Sequence, residues 1–98
     1  MIVVTGSVTA RPDTIDEVER LSLEHVSRSR TEPGCVSHSV QRDLENSLRL
    51  VFLEEWADRA AIERHFALPA SRSFSKAIAQ LAAEPTTLRV YEAERVRI

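Results

Sequence analysis

The sequence predicts an α+β fold of the split βαβ, or ferredoxin-like, kind, in which helices cover one face of a four-stranded antiparallel sheet. Apolar residues alternate with period two in four segments and recur at helical spacing in the segments between them. The resulting order is β-α-β-β-α(α)-β. A chain of 98 residues has the length of one domain. We therefore expect a single domain over residues 1–98.

Residues 2–10 form the first predicted strand, with apolar side chains at alternating positions. Gly6 in its middle predicts a bulge or a close approach of another group to the backbone. A turn at residues 11–14 then begins a helix that continues to about Arg30. Its buried face is predicted to carry Ile15, Val18, Leu21, Ser22, His25, Val26 and Ser29.

The run Glu32-Pro33-Gly34 ends this helix, because proline cannot continue a helix and glycine allows the chain to reverse. Cys35–Arg42 is the second predicted strand. Strict alternation places Cys35 on the face opposite His38. Val36 and Val40 are then predicted to share the face of His38.

A polar connection over residues 43–47 leads to the third predicted strand, Leu48–Trp56, which is largely apolar on both faces. A strand with two apolar faces is covered on both of them. The helices of this fold cover only one face. We therefore expect the other face to pack against a second copy of the chain, in a homodimer.

Two helical segments and a strand complete the predicted fold. Asp58 caps a short helix that ends near Phe66, and Pro69 interrupts the helical pattern. A second helical segment extends over residues 70–83. Residues 87–98 are rich in β-forming side chains and predict a closing strand, long compared with the usual ~5–6 residues. We expect its end to cross onto the partner chain.

Charge and cysteine content exclude several classes of protein. The 13 Lys and Arg and 15 Asp and Glu residues are spread evenly, so we expect neither nucleic-acid nor membrane-surface binding. The longest apolar run, Leu50–Leu53, is too short to span a bilayer. We expect no signal peptide at the start of the chain. The lone Cys35 is predicted to be an inert buried thiol, and the expected compartment is the cytoplasm.

The histidines are the candidate catalytic residues, because neutral imidazole can accept or donate a proton near pH 7. They are His25, His38 and His65. If all three point into the layer between helices and sheet, they line one pocket. The alternative is that each fills the core or its rim. Trp56, Phe66 and Phe74 would supply an aromatic wall of the kind that small-molecule sites use.

Two further polar residues are candidates. Glu54 lies on an apolar face of the third strand, where burial raises the pKa of a carboxyl unless an Arg pairs with it. A structural ion pair and a general base are both open roles for it. Tyr91 either forms a hydrogen bond into the pocket or fills the dimer interface. Nucleotide-binding, serine-hydrolase and zincin motifs are absent.

Three short blocks in order resemble the antibiotic biosynthesis monooxygenase family, which includes the small quinol monooxygenases. They are Glu32-Pro33-Gly34-Cys35, the E-x-W of Glu54-Glu55-Trp56, and Ala60-Ala61-Ile62 followed by His65-Phe66. Their order and spacing extend the resemblance over about residues 2–95. The resemblance implies a dimeric α/β-barrel with one pocket per subunit.

The same resemblance implies an oxygenase that uses no flavin, metal or haem and that converts a small apolar quinol or anthrone-like aromatic to a quinone with O2. On this interpretation His65 or His38 is the base and His25 is a hydrogen-bonding helper. The walls of the pocket would be Trp56, Phe52, Phe66 and Phe74. A non-catalytic protein that binds or detoxifies an aromatic ligand, or a proton-transfer isomerase, remains open on the same fold.

A haem-degrading branch resembles the same fold, but it needs an Asn on the first strand, where this chain has Thr5 and Ser7. His65 stands at that branch's Trp position, and Ser75 stands near the position of its iron ligand. We therefore do not expect haem cleavage.

Overall fold

The computed structural model describes residues 1–98 and confirms the split βαβ fold. The elements are β1 (Ile2–Thr9), α1 (Ile15–Ser29), β2 (Cys35–Asp43), β3 (Asn46–Trp56), α2 (Arg59–Ala67), α3 (Pro69–Leu81) and β4 (Thr87–Glu92). The strands form one sheet in the order β2-β3-β1-β4, and every neighbouring pair is antiparallel. None of the three helices has the length and apolar composition that a membrane crossing requires.

The core lies between the helices and one face of the sheet, and it is divided into two clusters. The cluster beside α2 consists of Ile2, Val4, Trp56, Ala61 and Ile62. The cluster beneath α1 and α3 consists of Val8, Ala10, Val18, Leu50 and Ile78. Gly6 lies between the two clusters along β1 and contributes no side chain to either. The gap between them is therefore a natural place for a cavity.

Gly6 marks a close approach of β4 rather than a bulge. The pairing of β1 with both neighbours continues through this residue without a shift in register. A Cβ added to Gly6 would lie 3.1 Å from the carbonyl oxygen of Thr87 and 3.6 Å from the side chain of Leu88. The sequence left two explanations open for this glycine, and the structure supports the second.

A bulge in β2 overturns the predicted alternation at the start of that strand. Cys35 pairs with Trp56 and Ser37 pairs with Glu55, so two residues of β2 oppose one step of β3. The extra residue, Val36, is 56% exposed, whereas Cys35 packs against the core. The prediction that Cys35 faces away from His38 was therefore wrong, because the bulge reverses the alternation between them.

The turn that follows α1 depends on Gly34, whose φ of 83° lies in the left-handed region. A Cβ at this position would also lie 2.5 Å from the Cβ of Ala61. Asp58 caps α2 as predicted, since its side chain accepts a hydrogen bond from the backbone N–H of Ala61 at 2.9 Å. Pro69 begins α3 at a position where its missing N–H costs no helical hydrogen bond.

Two strand boundaries differ from the predicted ones by two residues or more. β3 begins at Asn46 rather than Leu48, so the connection from β2 is a tight two-residue turn. β4 ends at Glu92, and residues 93–98 carry no strand. The predicted strand over residues 87–98 was too long, because Ala93 lies opposite Met1, where the neighbouring strand runs out. β-forming side chains beyond that point have no strand of this chain to pair with.

Candidate active site

A cavity of about 130 Å³ lies between the sheet and the helices. The exposed residues Thr86, Thr87 and Leu88 border the mouth. The predicted site residues that line it are His25, His38, His65, Phe52, Phe66, Phe74 and Glu54. Most of the residues proposed from sequence thus meet in one place.

The three histidines converge although they come from three different elements, α1, β2 and α2. The ring centroids of His25 and His65 are 5.2 Å apart, and those of His25 and His38 are 5.4 Å apart. The His38 and His65 centroids are separated by 6.0 Å. All three residues are at least 95% buried. They form one cluster on the cavity wall and no ring is isolated in the core.

His65 is oriented by a carboxylate behind it. Its Nδ1 lies 2.8 Å from Oε1 of Glu32, which is nearly buried at the end of the turn after α1. A carboxylate can only accept a hydrogen bond, so Nδ1–H of the ring is the donor to Glu32. The other nitrogen, Nε2, is 3.9 Å from the Glu54 carboxylate, which is beyond hydrogen-bond distance. In the neutral ring Nε2 therefore carries the lone pair, beside the cavity.

His25 is oriented by a guanidinium, and its Nδ1 accepts a hydrogen bond where that of His65 donates one. Nη2 of Arg28 lies 2.7 Å from Nδ1 of His25. Arginine can only donate, so Nδ1 accepts and the ring proton sits on Nε2. Phe74 stacks on the ring at a centroid distance of 4.0 Å with an interplanar angle of 2°. Burial lowers the pKa of His25 to about 3, with smaller contributions from the other two histidines and Arg28.

His38 and Glu54 form the third part of the site. Burial lowers the pKa of His38 to about 4, and both of its ring nitrogens are buried without a hydrogen-bond partner. Its Nε2 is 3.6 Å from Oε2 of Glu54. Burial also raises the pKa of Glu54, although the indole N–H of Trp56 donates to its Oε1 at 2.9 Å. No Arg pairs with Glu54, and the nearest groups that could carry a positive charge are the rings of His38 and His65.

Two residues proposed as direct ligand contacts lie elsewhere. Trp56 is fully buried behind the cluster, where its ring packs 4.7 Å from that of His65 and its N–H holds Glu54. Tyr91 pairs with Val3 across β1 and β4. Since Val3 alternates with the core residues of β1, Tyr91 belongs to the sheet face turned away from the helices. Neither side chain lines the cavity.

Sequence reasoning missed the two residues that orient the histidines. Arg28 follows His25 by three positions on α1, a spacing that brings two side chains together on a helix. Glu32 belongs to the Glu-Pro-Gly-Cys run, but its distance of 33 residues from His65 hides the pairing. The first signal was readable in the sequence, whereas the second depends on how the turn after α1 meets α2.

Comparison with known proteins gives a family match. The family model described as antibiotic biosynthesis monooxygenase matches residues 1–77. An uncharacterized protein of Synechocystis sp. is 35% identical over 91 residues, which is 93% of this chain. The match occupies 62% of that relative, so the chain spans less than two thirds of the relative's length.

Solved structures share the fold over nearly the whole chain. A crystal structure of an antibiotic biosynthesis monooxygenase is 29% identical, with a TM-score of 0.87, and the match covers 97% of this chain and 100% of the other. A structure from Deinococcus radiodurans, described as a candidate enzyme of the same kind, is 25% identical with a TM-score of 0.93. That match covers 100% of this chain and 98% of the other.

Proposed function

Because this chain belongs to the antibiotic biosynthesis monooxygenase family, we propose that it oxidises a small, apolar quinol or polyketide-like aromatic with O2 and without a cofactor. The observation that carries the proposal is the arrangement around His65. Glu32 accepts a hydrogen bond from Nδ1–H of His65, so the unprotonated nitrogen of the neutral ring is Nε2, at the wall of a cavity with aromatic side chains. An imidazole in this state is a general base.

The chemistry requires a base and a sheltered site. His65 Nε2 takes a proton from the substrate, which leaves an electron-rich anion. For an anthrone, the anion passes one electron to O2, and the resulting carbon radical and superoxide combine to form a C–O bond. Protonation gives a hydroperoxide, which breaks its O–O bond and loses water to leave a carbonyl. The net reaction is CH2 + O2 → C=O + H2O, so no external reductant is consumed.

The other residues of the site support this chemistry. The Nε2–H of His25 can stabilise the oxygen on which negative charge develops. Phe52, Phe66 and Phe74 supply apolar surface for the flat ring system. Desolvation of the cavity wall strengthens each of these polar interactions. In our proposal Trp56 supports Glu54 from behind rather than touching the substrate.

Oxygen uptake by metal-depleted protein tests this proposal directly. We expect consumption of O2 with 1,8-dihydroxyanthrone, and the quinone product identified by mass spectrometry. His65→Ala should lose about 10²–10⁴-fold in turnover, and added imidazole should restore part of it. The matched control is Arg64→Ala, which alters an exposed neighbour on the same helix. Full turnover in His65→Ala would reject His65 as the base.

Two other results would indicate other functions. Thermal stabilisation by aromatic ligands without any product would indicate a binding or detoxification protein. Solvent deuterium incorporated into a carbonyl compound without O2 uptake would indicate a proton-transfer isomerase.

We also propose that the working unit is a homodimer, formed through the sheet face that the helices leave uncovered. Leu53 and Tyr91 on this face are 47% and 48% exposed. Leu53 pairs with Thr5, and Tyr91 with Val3, so both belong to the outward rows of the sheet. Burying such side chains against a second copy would remove a substantial apolar area from water. Residues 94–98, which pair with no strand in this chain, would be free to contact the partner.

A further inference from the structure

We propose that Gly6 sets the size limit of the cavity, because the lack of a side chain at this position leaves space that a ligand can occupy. Gly6 lies on the wall of the cavity. The inference concerns only the size of the ligand, so it goes beyond the proposed oxidation and holds equally for a ligand that is bound without reaction. It assigns to Gly6 the role of a specificity-determining residue.

Gly6 belongs to the row of β1 that faces the helices. The other members of this row are buried in the core, and they are Ile2, Val4, Val8 and Ala10. Because side chains alternate along a strand, a side chain at residue 6 would also point into the layer between sheet and helices. One core cluster ends at Val4 and the other begins at Val8, so neither fills this layer at Gly6.

The backbone conformation does not require a glycine here. Gly6 does not have a positive φ, so residues with a side chain can adopt its conformation. Its pairing with both neighbouring strands is regular. A glycine inside a strand weakens the strand, and it often marks the close approach of a ligand or of another backbone. The neighbours of Gly6 decide between these two explanations.

Three groups surround the position that a Cβ of residue 6 would take. They are the carbonyl oxygen of Thr87 at 3.1 Å, Cδ1 of Leu88 at 3.6 Å and the Cβ of Phe52 at 3.9 Å. All three residues line the cavity. Phe52 and Leu88 lie directly opposite Gly6 on its two neighbouring strands. A side chain at residue 6 would therefore stand between Leu88 at the mouth and Phe52 on the wall.

The close approach of Thr87 does not by itself exclude a larger residue. A contact of 3.1 Å is relieved by a shift of a few tenths of an ångström. β4 is an edge strand with every residue exposed, so it can shift by this amount. The cavity has a volume of only about 130 Å³, and a methyl group is similar in size to a water molecule, which takes roughly 30 Å³. The lost cavity space is therefore the larger effect.

NMR titrations under argon with phenol and naphthalen-2-ol test the inference. The two probes carry the same hydroxyl group and differ by one fused ring. We expect Gly6→Ala to bind naphthalen-2-ol at least about tenfold more weakly than the wild type, the effect of overpacking a filled site. Phenol leaves room for the methyl group, so its affinity should change less than about threefold. The control Thr9→Val, on the opposite face of the same strand, should change neither affinity.

Removal of Leu88 tests whether lost space is the cause. The Leu88 side chain lies 3.6 Å from the added Cβ, so Leu88→Ala returns space at the same place. We expect the double variant Gly6→Ala/Leu88→Ala to bind naphthalen-2-ol within about threefold of Leu88→Ala alone. The full tenfold loss in the double variant would contradict the inference.

Four further results would overturn the inference. Equal loss of affinity for both probes, or a Gly6→Ala chain that does not fold, would show that the glycine serves only the packing of β4. Unchanged affinity of Gly6→Ala for naphthalen-2-ol, or a wild-type protein that binds neither probe, would remove the size limit. These titrations measure binding without O2. A loss confined to naphthalen-2-ol in a protein that consumes no O2 would therefore reject the proposed oxidation alone.

Discussion

Oε1 of Glu32 accepts a hydrogen bond from Nδ1–H of His65 at 2.8 Å, across 33 residues of sequence. The pairing is a product of the turn after α1. Gly34 bends the chain there with a left-handed φ and packs against Ala61, which precedes His65 by one turn of α2. The close packing of this turn against α2 therefore brings the Glu32 carboxylate to the His65 imidazole.

Glu32→Gln should slow the chemical step more than it weakens binding. The amide can donate as well as accept, so the tautomer of His65 is no longer fixed and the negative charge behind it is lost. We expect kcat for O2 uptake to fall about 10²-fold with KM nearly unchanged, because Glu32 does not line the cavity. Nitrogen-15 NMR of the ring should show the Nε2–H tautomer of His65 appearing.

Glu63→Gln is the control for this variant, since Glu63 is an exposed carboxylate on the same helix as His65. It should retain the wild-type kcat and the wild-type ring tautomer. Unchanged kcat in Glu32→Gln would contradict the orienting role of the carboxylate.

The free energy of unfolding should fall as the pH is lowered from about 6.5 to about 4. The pKa values of His25 and His38 are about 3 and about 4 in the folded chain, below the ordinary value of 6.5. In this window the unfolded chain binds more protons than the folded one, so stability is full above pH 6.5 and is lost on acidification. Urea titrations at pH 7, 6, 5 and 4 measure the change.

Glu54 acts in the opposite direction, since burial raises its pKa and its contribution is lost as the pH rises through the folded value. His38→Phe isolates the histidine contribution, because an aromatic ring of similar shape removes one depressed titration. We expect a smaller loss of stability between pH 6.5 and 4 than in the wild type. A loss as large as the wild-type one would show that other groups cause the acid sensitivity.

Gly34→Ala should destabilise the chain through two separable terms. An L-residue in the left-handed region costs about 1–2 kcal/mol, and the new Cβ would lie 2.5 Å from the Cβ of Ala61. Adding Ala61→Gly relieves the contact but not the backbone strain. In a double-mutant cycle of urea unfolding, we expect favourable coupling between the two substitutions. Additive effects would contradict the steric part of this explanation.

Local patterning predicted the order of the elements because side-chain alternation and helical spacing are set within a few residues. It failed at β2, where the bulge at Val36 reverses the alternation and only the partner strand reveals the extra residue. It also failed at β4, whose residues favour a strand to the end of the chain. The strand stops at Glu92 because its neighbour β1 has ended, which no local propensity reports.

The candidate site was partly readable for the same reason. The convergence of His25, His38 and His65 follows once each is placed on the inner face of its own element. The hydrogen-bonding role of His25 depends on Arg28 and that of His65 on Glu32, and the contact between Glu32 and His65 joins distant segments of the chain. The sequence could not decide which face of the sheet Tyr91 occupies, since its position in β4 was compatible with either face.

Leu53→Glu should convert the protein to a monomer if the uncovered sheet face is the dimer interface. Leu53 is 47% exposed on the outward side of the central strand β3, and a carboxylate there would have to be desolvated without a partner on association. Light scattering after size exclusion should give twice the chain mass for the wild type and the single mass for the variant. Leu44→Glu, at a fully exposed position in the β2–β3 turn, is the matched control and should stay dimeric. A wild-type monomer, or a Leu53→Glu protein that remains dimeric, would place the interface elsewhere or remove it.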